Sequence, residues 1–253
     1  MKVSLILTSF NSKDLLKSTL ENIEKQDYSK IEVVIKDGGS TDGTVDVIKE
    51  YKEKSKHQVK YVSEKDTGIY DAMNQGYKLS TGDIVAFFND RFISKNVISK
   101  MVKTIIENPG VVGAHGDLVY KDGEKIVRYW KMGKQKSLYL GWMPGHPTLF
   151  LKREIYEKYG LYDTSFKIAA DYEFMIRFLK DKNNKLAYLP KVVVNMYYGG
   201  TSTATKLSYI DSLKEGHRAL VKNGIHTAFI IDGLRTIRVL LQFVFKPKEK
   251  END

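Results

Sequence analysis

The chain has 253 residues, 42% of them hydrophobic, and a formal net charge of +10. That length and composition suit one large domain, or one domain with an extension. With no cysteine, disulfides, thiolate metal sites and cysteine nucleophiles are excluded, and no apolar run reaches the ~18 uninterrupted residues expected of a spanning helix.

The first segment, MKVSLILTSFNS, opens on a strand-like apolar run. It lacks a basic stretch followed by a long apolar region and a small-residue cleavage site, so no signal peptide is expected. The location expected is cytoplasmic, or peripheral on the cytoplasmic face of a membrane. VSLILT (3–8) suits a buried parallel strand. Asn11 and Ser12 then offer caps to a helix whose Leu16, Leu20 and Ile23 recur on one face. IEVVIK (31–36) reads as a second strand, DGGSTDGT (37–44) as a turn-rich loop and VDVIKEYKEK as a helix. VKYVSE (59–64) is a third strand, GIYDAMNQGYKLS a helix, DIVAFF (83–88) a fourth strand and NVISKMVKTIIEN another helix. This alternation predicts a parallel α/β sheet. After residue 120 the pattern changes. A hairpin is expected around Asp122-Gly123, helices over FLKREIYEKYG and ADYEFMIRFLKDK, a strand over KLAYLPKVVVNMYYGG, and helices from 205 to 246.

Ligands of open parallel sheets bind beyond the carboxyl ends of the strands. Polar clusters fall there: Thr8-Ser9-Phe10-Asn11, Asp37-Gly38-Gly39-Ser40, Glu64 with Asp66, and Asn89-Asp90. Any one Asx residue can be a turn or a cap. Carboxylates at neighbouring strand ends, taken together, repel unless a ligand or cation uses them. Dinucleotide binding would need G-x-G-x-x-G after the first strand, and TSFNSK has no glycine. A Walker A loop is absent too.

VSLILTSFNSKDLLKSTLENIEKQDYSKIEVVIKDGGSTDGT, EKDTGIYDAMNQGYKLSTGDIVAFFND, PTLFLKREIYEKYGLYDTSFKIAADYEFMIRF and GGTS follow one another in order. This ordered set resembles the family 2 glycosyltransferases over about residues 2 to 203. The resemblance implies a GT-A fold, an α/β architecture with a mostly parallel central sheet flanked by helices, over 1–204. Residues 1–115 would form the nucleotide-sugar-binding half, 116–204 the acceptor-side half and 205–253 a helical extension. It implies an inverting transfer from a UDP- or dTDP-sugar to a hydroxyl of a glycan or lipid-linked acceptor, in surface polysaccharide or glycolipid synthesis. Thr8, Phe10 and Asn11 would border the nucleoside. Asp37, with Gly39 in its loop, would accept from the uracil or thymine imide. Asp66, Gly68 and Asn74 would line the nucleotide and sugar pocket. Asn89 and Asp90 would lie where Mg²⁺ or Mn²⁺ meets the diphosphate, and Asp171 matches the acid that deprotonates the acceptor. An Asp at a helix start also stabilises the dipole by roughly 0.3–1 kcal/mol, so base and cap are both open for Asp171. His146 is a candidate for contact with a phosphate or the acceptor, and Lys152 and Arg153 for contact with the diphosphate, with ordinary loop and helix-start roles as the alternative.

FFNDRF departs from the family's usual acid pair. Either Asn89-Asp90 replaces it, with Phe92 as the following aromatic and Asp90 as metal ligand, or Arg91 occupies an acid's place. A guanidinium can pair with diphosphate oxygens by itself, so the metal is dispensable in the second case. The first is preferred because Asp90 and Phe92 both then match. A non-catalytic nucleotide-sugar-binding module is the rival reading.

In the tail, Asp232, Arg235, Thr236, Arg238 and Gln242 fall within about 160° of arc at 100° per residue. Residues 206–246 carry seven Lys/Arg and three Asp/Glu. Segment 227–246 therefore suits either an anionic membrane surface or packing on the domain or on a second subunit of a homodimer. No nucleic-acid-binding motif accompanies the positive charge, and no nucleic-acid partner is expected.

Overall fold

The computed structural model describes residues 1–197 and 206–244. Strands β1 (Val3–Ser9), β2 (Ile31–Asp37), β3 (Gln58–Ser63) and β4 (Ile84–Phe87) alternate with helices α1 (Lys13–Glu24), α2 (Thr44–Lys54) and α3 (Ile69–Leu79). The four strands are parallel, in the order β3-β2-β1-β4. β1 and β2 are central and covered on both faces, which is why their apolar runs are continuous rather than alternating.

The second half contains β5 (Arg91–Phe92), α4 (Val97–Ile106), β6 (Gly113–Asp122), β7 (Lys125–Trp130), β8 (Phe150–Lys152), α5 (Arg153–Tyr159), α6 (Ala170–Leu179) and β9 (Leu186–Tyr197). It continues the same sheet as β4-β8-β6-β9-β5, with β7 hairpinned onto β6. Here pairing is mixed: β8 runs antiparallel to both neighbours, and β6 and β9 are parallel. Helices α7 (Lys206–Lys222) and α8 (Ala228–Val244) pack on α6 and β7 respectively. The GGTS segment and the expected boundary after residue 204 lie outside the described residues.

One core lies on each face of the sheet. Leu5 and Leu7 of β1 join Leu16, Leu20 and Ile23 of α1, Ile48 of α2 and Met101 of α4. Ile6 points the other way, to Tyr70 and Met73 of α3, Ile155 of α5 and Phe174 of α6. This is the period of two that a strand imposes. Each such side chain contributes roughly 1.5–3 kcal/mol when fully buried.

Candidate active site

The strand register sets up the donor end. Ser9 pairs with Asp37, and Asp37 with Ser63, so three side chains meet at the carboxyl ends of β1, β2 and β3. Asp37 is buried. Its Oδ1 accepts from Ser9 Oγ at 3.1 Å and from Ser40 Oγ at 2.5 Å. Its Oδ2 accepts from Gly39 N at 3.0 Å, Ser40 N at 2.9 Å and Ser63 Oγ at 2.6 Å. Burial alone would push this carboxyl up; the donors from Ser40, Ser63 and Ser9 hold it below the usual range. The DGGS loop is thus folded around Asp37. Gly39 takes a left-handed φ of 84°, and a Cβ on Gly38 would come within 3.0 Å of Asp66 Oδ2.

The strand-end acids were expected to need a ligand or cation. The chain provides a cation itself. Lys36, fully buried, donates to Asp37 O at 2.8 Å, Glu64 O at 2.6 Å and Asp66 Oδ2 at 3.2 Å. Asp66 Oδ1 also accepts from Gly68 N at 3.1 Å, just before α3. Read from sequence, Lys36 was one more strand residue; only its burial beside three strand ends gives it this role.

Phe10 is 65% exposed and lies against Gly38. Asn11, at a left-handed φ of 44°, accepts from Thr41 N at 2.9 Å, and its own N–H donates to Ser40 Oγ at 2.8 Å. Asn89 closes the other side: its Oδ1 accepts from Thr8 N at 3.0 Å and its Nδ2 donates to Thr8 Oγ1 at 2.8 Å. Asp90, partly buried, accepts no hydrogen bond from a described residue, and burial pushes its carboxyl up to about 7. Arg91 opens β5 opposite Asn195. Phe92 is buried and stacked on Phe88 at 3.8 Å. No cluster of three His, Asp or Glu residues with metal-binding geometry exists among the described residues.

Asn74 reaches across to the second half, where Tyr162 O accepts from it at 2.8 Å and Tyr162 N donates to it at 3.0 Å. Tyr70 makes the second tie, its hydroxyl lying 2.6 Å from Ile168 O and 3.1 Å from Asp171 Oδ1. Asp171 therefore sits between the start of α3, which follows the donor end, and a cavity of about 550 Å³ that it lines with Trp130, Trp142, Tyr172, Arg235 and Arg238. Asp90 and Asp171 both act electrostatically on the buried Tyr120 hydroxyl, whose pKa burial raises first of all.

The turn that leads into α6 is held by a residue other than Asp171. Glu215 of α7 accepts from the backbone N–H groups of Lys167 at 2.9 Å, Ile168 at 2.8 Å and Ala169 at 2.9 Å. Asp171 is left facing the cavity, with Tyr70 as its hydrogen-bond partner. His146 Nε2 is 2.7 Å from Tyr162 Oη on the same wall. Arg153 is elsewhere, which corrects the suggested phosphate contact. It donates to Gly82 O at 2.7 Å and Ser80 Oγ at 2.8 Å, at the amino end of β4. Lys152 pairs with Ile84 at that same end.

Residues 4–187 match the family described as glycosyl transferase family 2. The chain belongs to glycosyl transferase family 2. It is 26% identical over 202 residues to a PGL/p-HBAD biosynthesis glycosyltransferase of Mycobacterium bovis, covering 79% of this chain and 78% of that one. It is 30% identical over 220 residues to the dolichyl N-acetyl-alpha-D-glucosaminyl phosphate 3-beta-D-2,3-diacetamido-2,3-dideoxy-beta-D-glucuronosyltransferase of Methanococcus voltae, covering 77% of this chain and 66% of that one. In fold it is similar to the mannosyltransferase PcManGT from Pyrobaculum calidifontis, solved with GDP-Man and Mn²⁺, at a TM-score of 0.69 and 19% identity over 98% of this chain and 76% of that one. It is likewise similar to TarS of S. aureus in complex with UDP-GlcNAc, at 0.68 and 18% over 94% and 72%. This family 2 chain is a glycosyltransferase with a GT-A fold, which sets aside the non-catalytic module.

Proposed function

We propose that this family 2 glycosyltransferase moves a sugar, with inversion, from a UDP- or dTDP-sugar to a hydroxyl of a lipid-linked glycan acceptor, in glycolipid or surface polysaccharide synthesis. The observation that carries the reading is the position of Asp171. Its carboxylate is bracketed by the donor-side helix α3 and the cavity, on a turn that Glu215 holds in place. In that position it takes the proton of the acceptor hydroxyl as the oxygen attacks the anomeric carbon and the bond to the diphosphate breaks. Tyr70 orients the carboxylate. Phe10 offers an exposed ring to the nucleobase, while the loop folded around Asp37 and the Lys36–Asp66 pair hold the walls of that pocket.

A divalent cation fits Asp90. The carboxylate has no protein donor among the described residues, and burial disfavours its charge, so Mg²⁺ or Mn²⁺ would satisfy it. Such ions are often held by one or two carboxylates together with phosphates. When bound, the ion neutralises charge on the leaving diphosphate. Asn89, engaged with Thr8, would support the strand end rather than grip the ion strongly. The exposed Ile230, Ile237 and Leu240 of α8 support a lipid-linked acceptor and a position on a cytoplasmic membrane surface.

The test is a panel of UDP- and dTDP-sugars with wild type and Asp171→Asn. Turnover falling by ~10²–10⁴, with UDP affinity unchanged, is the expected outcome. Unaltered turnover in Asp171→Asn would remove the base from the mechanism.

A further inference from the structure

We propose that the cavity beside Asp171 contains a subsite for an anionic group of the acceptor, a phosphate or diphosphate ester, bound by Arg128, Arg235 and Arg238. The proposal rests on placing the acceptor in this cavity, and adds what that acceptor must carry.

The charge of the lining is lopsided. Among the described residues, Arg128, Lys131, Arg235 and Arg238 face it, against the single carboxylate of Asp171. Apart from Arg235, which pairs with Asp232, these cations have no carboxylate within 4.0 Å among the described residues. Arg128 is 7% exposed, held with its guanidinium 4.5 Å from the centre of the Tyr120 ring and 5.4 Å from that of Phe243. Its Nε donates to Gln242 Oε1 at 2.7 Å. No carboxylate of a described residue lies within 4.0 Å of it, and its two terminal nitrogens have no hydrogen-bond acceptor among those residues. Burying a guanidinium without a counter-charge is unfavourable unless something else meets it. Among the described residues Arg238 has only Leu140 O, 3.1 Å from its Nε. Arg235 lies 3.8 Å from the centre of the Tyr172 ring and shares the Asp232 carboxylate with His217.

The way α8 is mounted points the same way. A helix docked only for stability turns its apolar stripe inward. Here Arg235, Arg238 and Gln242 face the cavity beside Val239 and Leu241, whereas Ile230, Ile237 and Leu240 are exposed. Three guanidinium forks around one space match the oxygens of a phosphate. Trp130 and Trp142 give the same space an apolar floor on which a sugar ring or a prenyl chain can rest. This is not the donor's diphosphate site: Thr8, Asp37, Asp66 and Asp90 do not line the cavity.

The chain has two tryptophans, and both line this cavity, so intrinsic fluorescence reads it directly. The full chain, held with excess UDP, is titrated with inorganic pyrophosphate, farnesyl diphosphate and the uncharged octyl β-glucoside. A saturable change with the two anions is expected, weakened tenfold or more by Arg238→Gln and by Arg235→Gln, as loss of a charge-assisted hydrogen bond implies. Among the described residues Arg238 is hydrogen-bonded only to one carbonyl, so its variant keeps the test open should the buried Arg128→Gln fail to fold. Farnesyl diphosphate binding more tightly than pyrophosphate identifies a lipid-linked source; equal affinities identify a soluble ester. Octyl glucoside competing equally with the anions, or wild-type affinity in both arginine variants, would overturn the proposal. The readout needs no turnover. Transfer to a neutral acceptor with no anion binding rejects this subsite alone, and anion binding without transfer in wild type rejects the catalytic reading alone.

Discussion

Asp90 and Asp37 are both acids at strand ends, and their surroundings give them opposite work. Asp37 is surrounded by donors and kept ionised, so it shapes a loop. Asp90 has none among the described residues, and its charge is disfavoured, so it is the carboxylate with capacity for a cation. Asp90→Ala is therefore expected to raise the Mn²⁺ concentration giving half-maximal turnover by roughly tenfold or more, as losses around metal sites commonly do. A Mn²⁺ titration of initial rates for wild type, Asp90→Ala and Arg91→Ala checks it. Turnover unaffected by chelator in wild type, together with a rate collapse in Arg91→Ala, would transfer the diphosphate to the guanidinium.

Two connections between elements decide how well the site is held. Glu215 of α7 anchors the turn that leads into α6, so Glu215→Ala leaves the N–H groups of Lys167, Ile168 and Ala169 without their acceptor. A cost of about 0.5–2 kcal/mol is expected in thermal or urea unfolding, with kcat falling and donor KM unchanged because only Asp171 is displaced. Equal stability loss with wild-type kcat would leave Glu215 a purely structural anchor. At the opposite end of the sheet, burial would raise the Glu32 carboxyl, but hydrogen bonds from Lys60, Ser4, Thr81 and Lys2 hold it down at about 2, against an ordinary 4.5. The folded value is the lower one, so its contribution is complete above pH 4.5 and disappears as pH falls toward 2. That contribution is up to about 3 kcal/mol. Glu32→Gln should lower stability at pH 7 and flatten the acid limb of the unfolding curve. The helices and strands that carry these groups were legible because their periodicity is local: Leu16, Leu20 and Ile23 mark a helix face without reference to anything else. The ladder β4-β8-β6-β9-β5 was not, because a three-residue strand such as β8 is defined by its long-range partners. Glu215 and Lys36 were not legible for the same reason; each acts on residues ~28 to 48 positions away, and nothing in their neighbours signals it.

At the scale of the molecule, α8 joins two surfaces. The arc of Asp232, Arg235, Thr236, Arg238 and Gln242 was legible in the sequence, but its direction was not: the helix shows that arc to the protein and its apolar side to the outside. Phe229, Ile230, Ile237, Leu240 and Leu241 are all exposed, and Phe229 is 82% exposed. Among the described residues no helix is long and apolar enough to cross a membrane; an outward apolar face on a 17-residue helix is instead the geometry of one lying in the lipid interface. Each exposed side chain that enters the interface gains up to ~1.5–3 kcal/mol, and the basic excess of the tail adds attraction to anionic headgroups. The enzyme should then sediment with vesicles rich in phosphatidylglycerol, less so as salt is raised. Ile237→Asp combined with Leu240→Asp should abolish sedimentation while leaving the arginines of the inner face, and transfer to a soluble acceptor, intact. A wild-type chain that ignores the vesicles but elutes as a dimer, converted to monomer by the same two substitutions, would assign the face to a second subunit.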